Sequence, residues 1–188
     1  PCDRSASPLV IKYDGDLHDS GPLQFTSQQD GILSDIRGER SDPAAHAPKR
    51  ISWHRSLRYL FIALPNAKGE VNGINELFGD STRGPDSHFS SNGYEALAKY
   101  DSNHDGFIDV SDEVFTKLRL WQDANFDGKA QASELHPLLD FGIARIDLKF
   151  DSRYSEGDRY GNETKFKSVV QTVDGKLYLL FDIWFKYL

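Results

Sequence analysis

The sequence lacks methionine entirely and has a single cysteine, Cys2, among its 188 residues. One cysteine cannot form an internal disulfide bond, and its place at the extreme terminus argues against a thiol enzyme. Because methionine is absent, we expect that the chain does not begin at a translation start and that an upstream segment has been removed. Cys2 is either an incidental thiol or the lipid-bearing first cysteine of a mature bacterial lipoprotein. Pro1 ahead of it fits the lipoprotein interpretation poorly.

The sequence also lacks long apolar runs and an excess of basic residues. No run approaches the roughly 18 apolar residues of a membrane span, so no span is expected. Lys and Arg number 22 against 29 Asp and Glu, for a net charge of −7. Nucleic-acid binding requires clustered Lys and Arg, which excludes nucleic acid as a partner. The motifs G-x-S-x-G and H-E-x-x-H are absent as well. We therefore assign no catalytic residue and do not expect an enzyme.

What the sequence does have is two twelve-residue acidic loops, 101–112 and 123–134, hereafter loop 1 and loop 2. Both carry Asp, Asn and Asp at positions 1, 3 and 5 and Gly at position 6, where a sharp turn needs positive φ. This is the EF-hand pattern, which directs about six to eight oxygens at one calcium ion. One such motif is weak evidence because the same residues build ordinary turns, but two together predict two calcium sites. The predicted ligands are Asp101, Asn103, Asp105, Phe107, Asp109 and Asp112 in loop 1, and Asp123, Asn125, Asp127, Lys129, Gln131 and Glu134 in loop 2.

The two loops differ at the ligand that closes them. Glu134 is long enough to chelate an ion with both carboxylate oxygens, whereas Asp112 is one methylene shorter. We therefore expect loop 1 to be the weaker or less calcium-selective site. Position 7 (Phe107 and Lys129) would contribute only a backbone carbonyl, and position 9 (Asp109 and Gln131) would act through a water molecule.

The distribution of apolar residues predicts a single α+β domain spanning 1–188. We expect an irregular part at 1–91, a helical calcium unit at 92–142 and a β region at 143–188. Asn92 is the predicted N-cap of a first helix, and further helices are predicted over 113–122 and 132–141. The ten residues between the loops would form one shared helix about 15 Å long, with an ion near each end. In the β region, Asp174–Gly175 predicts a hairpin turn, and the helices would pack on this small antiparallel sheet.

Several segments together resemble the calcium-binding, self-processing module of repeat-in-toxin proteins and its exported bacterial relatives. The resemblance runs from about Pro8 to the C-terminus and is most specific within 76–146. It is carried by 8–11, 76–80, 92–97, 118–123, 182–185 and the two loops.

The resemblance implies a specific chemistry at the start of the module. In the self-processing members, calcium-induced folding activates an Asp-Pro bond, and the Asp side chain attacks its own backbone carbonyl. The peptide breaks, and the activated Asp can be captured by a Lys as an isopeptide. Here the matching dipeptide is Ser7–Pro8. A Ser hydroxyl cannot form the anhydride, so we do not expect this junction to cleave.

Two further family loops are degenerate in this sequence. Lys12 takes the first ligand position of the loop at 12–17, and Leu64 and Lys68 replace two acidic ligands in the loop at 64–69. Whether Asp14, Asp16 or Glu76 helps to bind an ion stays open. The remaining Asp-Pro dipeptide, Asp42–Pro43, matches no family junction and is interpreted as a turn.

Three functional hypotheses follow from these observations. The first is an exported, secreted, periplasmic or cell-surface calcium-binding structural domain that two calcium ions fold or rigidify. The second is a calcium-dependent self-processing module, inactive here because of Ser7. The third is a dockerin-like protein-interaction module, which the Glu134 closure and the large β region disfavour. A protein partner and a lipid anchor at Cys2 stay open.

Overall fold

A computed structural model describes residues 5–15, 23–40 and 47–187. Cys2, Asp16 and Asp42–Pro43 lie outside the described residues. Twelve strands and one α-helix are present in the described part. In chain order they are β1 Ser5–Ala6, β2 Leu9–Lys12, β3 Ile32–Ser34, β4 Lys49–Ile51, β5 Tyr59–Ala63, α1 Gly93–Ala98, β6 Phe107–Ile108, β7 Arg119–Trp121, β8 Leu135–Pro137, β9 Ile143–Asp147, β10 Asp151–Gly157, β11 Glu163–Thr172 and β12 Leu177–Lys186. Short 3-10 helices cover Gly38–Arg40, Ile74–Glu76, Ala132–Glu134 and Leu138–Phe141.

Ten of the strands form one curled antiparallel sheet. The strand order is β6-β9-β11-β12-β2-β5-β7-β8, with β1 also paired to β12 and β10 to β11. Strands β3 and β4 pair separately as a small ribbon. Strands β11 and β12 are connected through the Asp174–Gly175 turn, where Gly175 has φ 86°. None of the helices among the described residues is long and apolar enough to cross a membrane.

The sheet is buried on both faces, so its central strands are apolar without alternation. In β5, Phe61 packs in one core cluster, whereas Leu60 and Ile62 pack in the other. Strand β12 divides in the same way, with Phe181 on the first face and Leu180 on the second. The first face is rich in aromatic rings, and the second face receives α1 through Tyr94 and Leu97.

The prediction of an α+β fold with tandem EF-hand helices is wrong, because the described structure is mostly β with one helix. Residues 113–117 form turns, and the chain then enters β7 instead of completing a helix. Leu120 and Trp121 lie on opposite faces of the sheet, which an extended strand permits and a single helical stripe does not. The shared helix is therefore absent, and the two loops are joined by turns and a strand.

The third predicted helix is wrong as well. Residues 132–141 form a 3-10 turn, strand β8 and a second 3-10 turn. Pro137 has no N–H to donate inside a helix, and it lies at the end of β8 opposite Arg119. The first helix is present: the Asn92 side chain accepts a hydrogen bond from the Glu95 N–H at 2.9 Å and caps α1.

Candidate metal centre

The first ligand position has the same hydrogen bond in both loops. Asp101 Oδ2 accepts from the Gly106 N–H at 2.9 Å, and Asp123 Oδ2 accepts from the Gly128 N–H at 2.8 Å. These bonds close each loop across its glycine. Gly106 has φ 86° and Gly128 has φ 71°, conformations that an L side chain adopts only with strain.

Positions 3 to 5 also have equivalent hydrogen bonds in the two loops. In loop 1, Asn103 Oδ1 accepts from the Asp105 N–H at 3.2 Å, and Asp105 Oδ1 accepts from the Phe107 N–H at 2.9 Å. In loop 2, Asn125 Oδ1 accepts from the Asp127 N–H at 3.1 Å, and Asp127 Oδ1 accepts from the Lys129 N–H at 2.8 Å. The residue at position 4 has positive φ in each loop, 58° at His104 and 60° at Phe126. The two backbones therefore follow the same path.

The closing residues also play equivalent parts. Asp112 accepts from the Ser102 N–H at 2.7 Å with Oδ1 and from the Asp109 N–H at 3.1 Å with Oδ2. Glu134 accepts from the N–H groups of Ala124, at 2.9 Å, and Gln131, at 3.2 Å. Burial raises the pKa of Asp112, but the hydrogen bonds from Asp109 and Ser102 outweigh it and lower the pKa overall. The shorter Asp112 thus closes its loop as Glu134 does.

The donor set of the loops fits a hard cation. Carboxylates, Asn oxygens and backbone carbonyls are the ligands of calcium, whereas softer metals prefer thiolate or imidazole. The carboxylates that begin and end each loop are buried: Asp101, Asp112, Asp123 and Glu134. Asp101 Oδ1 is buried without a hydrogen-bond partner among the described residues, and an anionic oxygen in that state favours a cation.

The carboxylates alone do not form a metal cluster. Among the described residues, no group of three His, Cys, Asp or Glu side chains is arranged to hold a metal ion. In both loops these carboxylates are instead hydrogen-bonded to the loop's own amides. A cation in either loop would therefore also need the Asn oxygen of position 3 and the backbone carbonyl of position 7.

Two buried indoles donate to loop 2 from outside it. Trp53 Nε1 lies 2.6 Å from Asp123 Oδ2, and Trp121 Nε1 lies 3.4 Å from Glu134 Oε2. Neither contact is predicted by the sequence motifs. Trp53 precedes Asp123 by 70 residues, and no motif links them. The available signal was general, since a buried indole N–H usually finds a hydrogen-bond acceptor.

A second buried site surrounds the Ser7–Pro8 junction. The Ser7 N–H donates to Asp80 Oδ1 at 3.1 Å, and the Asp80 N–H donates to Ser7 Oγ at 3.3 Å. Asp182 Oδ2 accepts from the Gly93 N–H at 2.9 Å. Burial raises the pKa of Asp182 to about 7; hydrogen bonds from Gly93 and Ser7 oppose the rise, and the charge of Asp80 adds to it.

Arg40 pairs with the other carboxylate of the junction. Its Nη1 lies 3.0 Å from Asp80 Oδ2. Burial nevertheless raises the pKa of Asp80, although the Ser7 N–H and the Arg40 charge oppose the rise. The junction therefore lies between two carboxyl groups whose protons are held more tightly than those of exposed carboxyls.

A cavity of about 340 Å³ lies between the junction and loop 2. Its walls are largely apolar and include Pro8, Leu77, Trp53 and Trp121. Residues 128–130 of loop 2 complete the lining. One surface of Trp53 therefore faces the same cavity as the junction proline, while its N–H group binds loop 2.

The overall sequence match decides the family. A family model described as "SPM domain" matches residues 14–186. The chain belongs to the SPM domain family. Iron-regulated protein FrpA of Neisseria meningitidis serogroup C is 46% identical to this SPM domain over 143 residues. The match covers 76% of this chain and 12% of FrpA, so the chain spans a small part of that relative's length. The resemblance to self-processing modules drawn from the sequence is confirmed.

The degenerate loops of this SPM domain are held by other contacts. Lys12 Nζ lies 3.3 Å from Asp14 Oδ2, so an ammonium group neutralises one of the acidic positions there. In the other loop, Glu76 Oε2 accepts from the N–H groups of Asn72 and Gly73 at 2.9 and 3.2 Å. Asn66 Oδ1 accepts from Lys68 and Glu70. The described residues of both segments are thus tied together by contacts within each segment.

Proposed function

We propose that this SPM domain is a calcium-binding domain whose two loops are ordered and rigidified by calcium. The observation that carries the proposal is a set of hydrogen bonds that recurs in loops 1 and 2, accepted by the side chains at positions 1, 3, 5 and 12. Because of this repeat, side-chain oxygens at equivalent positions are held in the same way by the backbone of each loop. The repeat also concentrates negative charge, and a ligand that binds only the folded state stabilises that state.

The proposed setting is outside the cytoplasm of a bacterium. Calcium is abundant there, so the loop closed by Asp112 would stay filled even at modest affinity. Two divalent ions would offset part of the net charge of −7. The domain would then act as a rigid structural unit within a larger exported protein.

The deciding experiment is a calorimetric titration of the chelator-stripped protein with calcium, followed by thermal melting with and without EDTA. We expect two binding events and a rise in melting temperature with calcium. Magnesium at the same concentration is the matched control, because its octahedral preference suits these loops poorly. Absence of calcium binding, or a melting curve indifferent to EDTA, would refute the proposal.

A second candidate function is favoured by the buried Ser7–Pro8 site. We propose that this is the remnant of a self-processing junction, in which Asp at position 7 would attack its own backbone carbonyl carbon. The bond to the Pro8 nitrogen would break, leaving a cyclic anhydride, and the nitrogen would take up a proton. Asp182, a buried carboxyl with a raised pKa, is the proton donor near this junction. Calcium would act through loop 2, which shares a cavity with Pro8.

The test is the substitution Ser7→Asp in the full chain, incubated with calcium and analysed on a denaturing gel and by mass spectrometry. We expect a new C-terminal fragment that begins at Pro8, formed only with calcium. The unaltered Ser7 chain and Ser7→Ala are controls and should stay intact. A Ser7→Asp chain that binds calcium and stays whole would show that the site does not support this chemistry.

A further inference from the structure

The two loops differ in the hydrogen bonds that their first predicted ligand accepts. Asp123 Oδ2 accepts two hydrogen bonds, from the Gly128 N–H at 2.8 Å and from Trp53 Nε1 at 2.6 Å. Its Oδ1 accepts the Asp127 N–H at 3.2 Å. In loop 1, Asp101 Oδ2 accepts from Gly106, and its buried Oδ1 has no partner among the described residues. The indole is therefore a feature of loop 2.

The indole of Trp53 is held in place by its neighbours. The ring is 3% exposed and stacks on Phe61 with centroids 4.9 Å apart and planes 7° from parallel. Trp121 and Phe185 flank it at 5.6 and 5.8 Å. Asp123 is fully buried. A rigid donor thus faces a rigid acceptor, and neither loses rotational freedom when an ion arrives.

We infer that Trp53 is a positioning residue for the cation of loop 2. This inference rests on the proposed calcium binding and concerns its affinity. The indole N–H and the Gly128 N–H both donate to Oδ2 and so fix the carboxylate plane of Asp123. Oδ1 accepts one hydrogen bond, from the Asp127 N–H, and keeps a lone pair with which to bind the cation. Partners that orient metal ligands in this way contribute about 10- to 100-fold in metal affinity. Within 5–15, 23–40 and 47–187, no side chain donates to Asp101 of loop 1 in this way.

The variant that isolates the contact is Trp53→Phe, which keeps a stacking ring and removes the N–H. It is compared with Trp184→Phe on β12, because Trp184 packs beneath Lys165 Nζ at 4.8 Å and, within the described part of the chain, hydrogen-bonds to neither loop. Each substitution is made in two backgrounds. Asp101→Ala disables loop 1 and leaves loop 2, and Glu134→Gln weakens loop 2 and leaves loop 1.

Calorimetric calcium titration of these proteins gives the answer. We expect Trp53→Phe to weaken binding about tenfold or more in the background that retains loop 2. In the background that retains loop 1, it should leave the affinity unchanged. Trp184→Phe should change neither. A global loss of stability would weaken both loops alike, so equal weakening would overturn the inference, as would an unchanged affinity at loop 2.

A second measurement needs no substitution at Trp53 and covers the case in which Trp53→Phe fails to fold. Indole ¹⁵N-labelled protein in the Asp101→Ala background is titrated with calcium and followed by NMR. The Trp53 indole resonance should shift in step with occupancy of loop 2, and the Trp184 resonance should not. If the Trp53 resonance did not shift while calorimetry recorded calcium binding, the inference would be overturned and the proposed calcium binding would stand. Failure of the unaltered chain to bind calcium would instead refute the proposed function.

Discussion

At the scale of single residues, the least ordinary group is Asp182, a fully buried carboxyl in the middle of β12. It is surrounded by Ser7, Asp80, the N-terminus of α1 at Gly93 and Trp184. Its pKa rises from 3.8 to about 7 because burial disfavours the charged form. The unfolded chain therefore releases this proton at a lower pH than the folded chain does.

This difference predicts that Asp182 weakens the fold as the pH rises. Well below pH 4 the Asp182 carboxyl is protonated in both the folded and the unfolded state, so it does not lower the free energy of unfolding. Between about pH 4 and 7 the unfolded state gains by ionising while the folded state does not, so stability falls, and the full loss is reached above pH 7. We expect Asp182→Asn to be more stable than the unaltered chain at pH 8, by on the order of 4 kcal/mol, and to have nearly the same free energy of unfolding as the unaltered chain at pH 4.

Urea unfolding at pH 4, 6 and 8 measures the effect, at fixed calcium concentration. The exposed Asp140 supplies the control, since Asp140→Asn makes the same change of side chain at the surface. A stability difference between Asp182→Asn and the unaltered chain that does not change with pH would contradict the assignment of a raised pKa.

At the scale of elements, sequence reasoning located the loops and the turn better than the helices. Gly106, Gly128 and Gly175 stand where the backbone has positive φ, and such positions are visible in the sequence because glycine suits them best. The Asn92 cap and the 173–176 turn are local signals of the same kind. The failure at 113–122 came from long-range packing, since β5 draws 119–121 into the sheet as β7. At 132–141 the cause is local, because Pro137 has no N–H to donate inside a helix.

Trp53 could not be predicted for the same reason. Its contact with Asp123 depends on how the segment after β4 packs over β5 and β7, and no spacing in the sequence records that. The ligand positions of the two loops remain predictions from the sequence. The structure adds the hydrogen bonds around them.

The glycines of the two loops offer a matched test of how loop 2 is packed. A Cβ on Gly128 would lie 2.2 Å from Ile32 Cδ1 of β3, whereas a Cβ on Gly106 would have nothing within 4 Å. Both positions have positive φ. Gly106→Ala should therefore cost about 1 kcal/mol of backbone strain, and Gly128→Ala about 2 to 4 kcal/mol because the clash with β3 adds to the strain.

Thermal or urea unfolding of the two variants decides the point. Gly175→Ala, in the open turn between β11 and β12 with nothing within 4 Å, should behave as Gly106→Ala does. Equal losses of stability for Gly106→Ala and Gly128→Ala would mean that the Ile32 side chain moves aside without cost and that loop 2 is not tightly packed against the β3–β4 ribbon.

At the scale of the whole molecule, the two loops lie at opposite ends of the strand order. Loop 1 contains β6, the first strand of the path, and loop 2 connects β7 with β8, the last two. End strands have one unpaired side and are the parts of a sheet that open most readily. Ions bound in these loops would therefore brace both margins of the sheet, while its middle is held by long pairings such as that of β11 with β12.

This arrangement predicts where calcium removal acts. In hydrogen exchange followed by mass spectrometry, EDTA should accelerate exchange in 101–112 and 119–137, because these segments contain the loops and the end strands. The centre of the sheet, 9–12 and 177–186, should keep its protection, since its hydrogen bonds do not depend on either loop. The unaltered protein with calcium is the reference, and Asp101→Ala should reproduce the change at 101–112 alone. Uniform acceleration across the chain would mean that calcium governs global unfolding instead, and that the loops are integral to the central core.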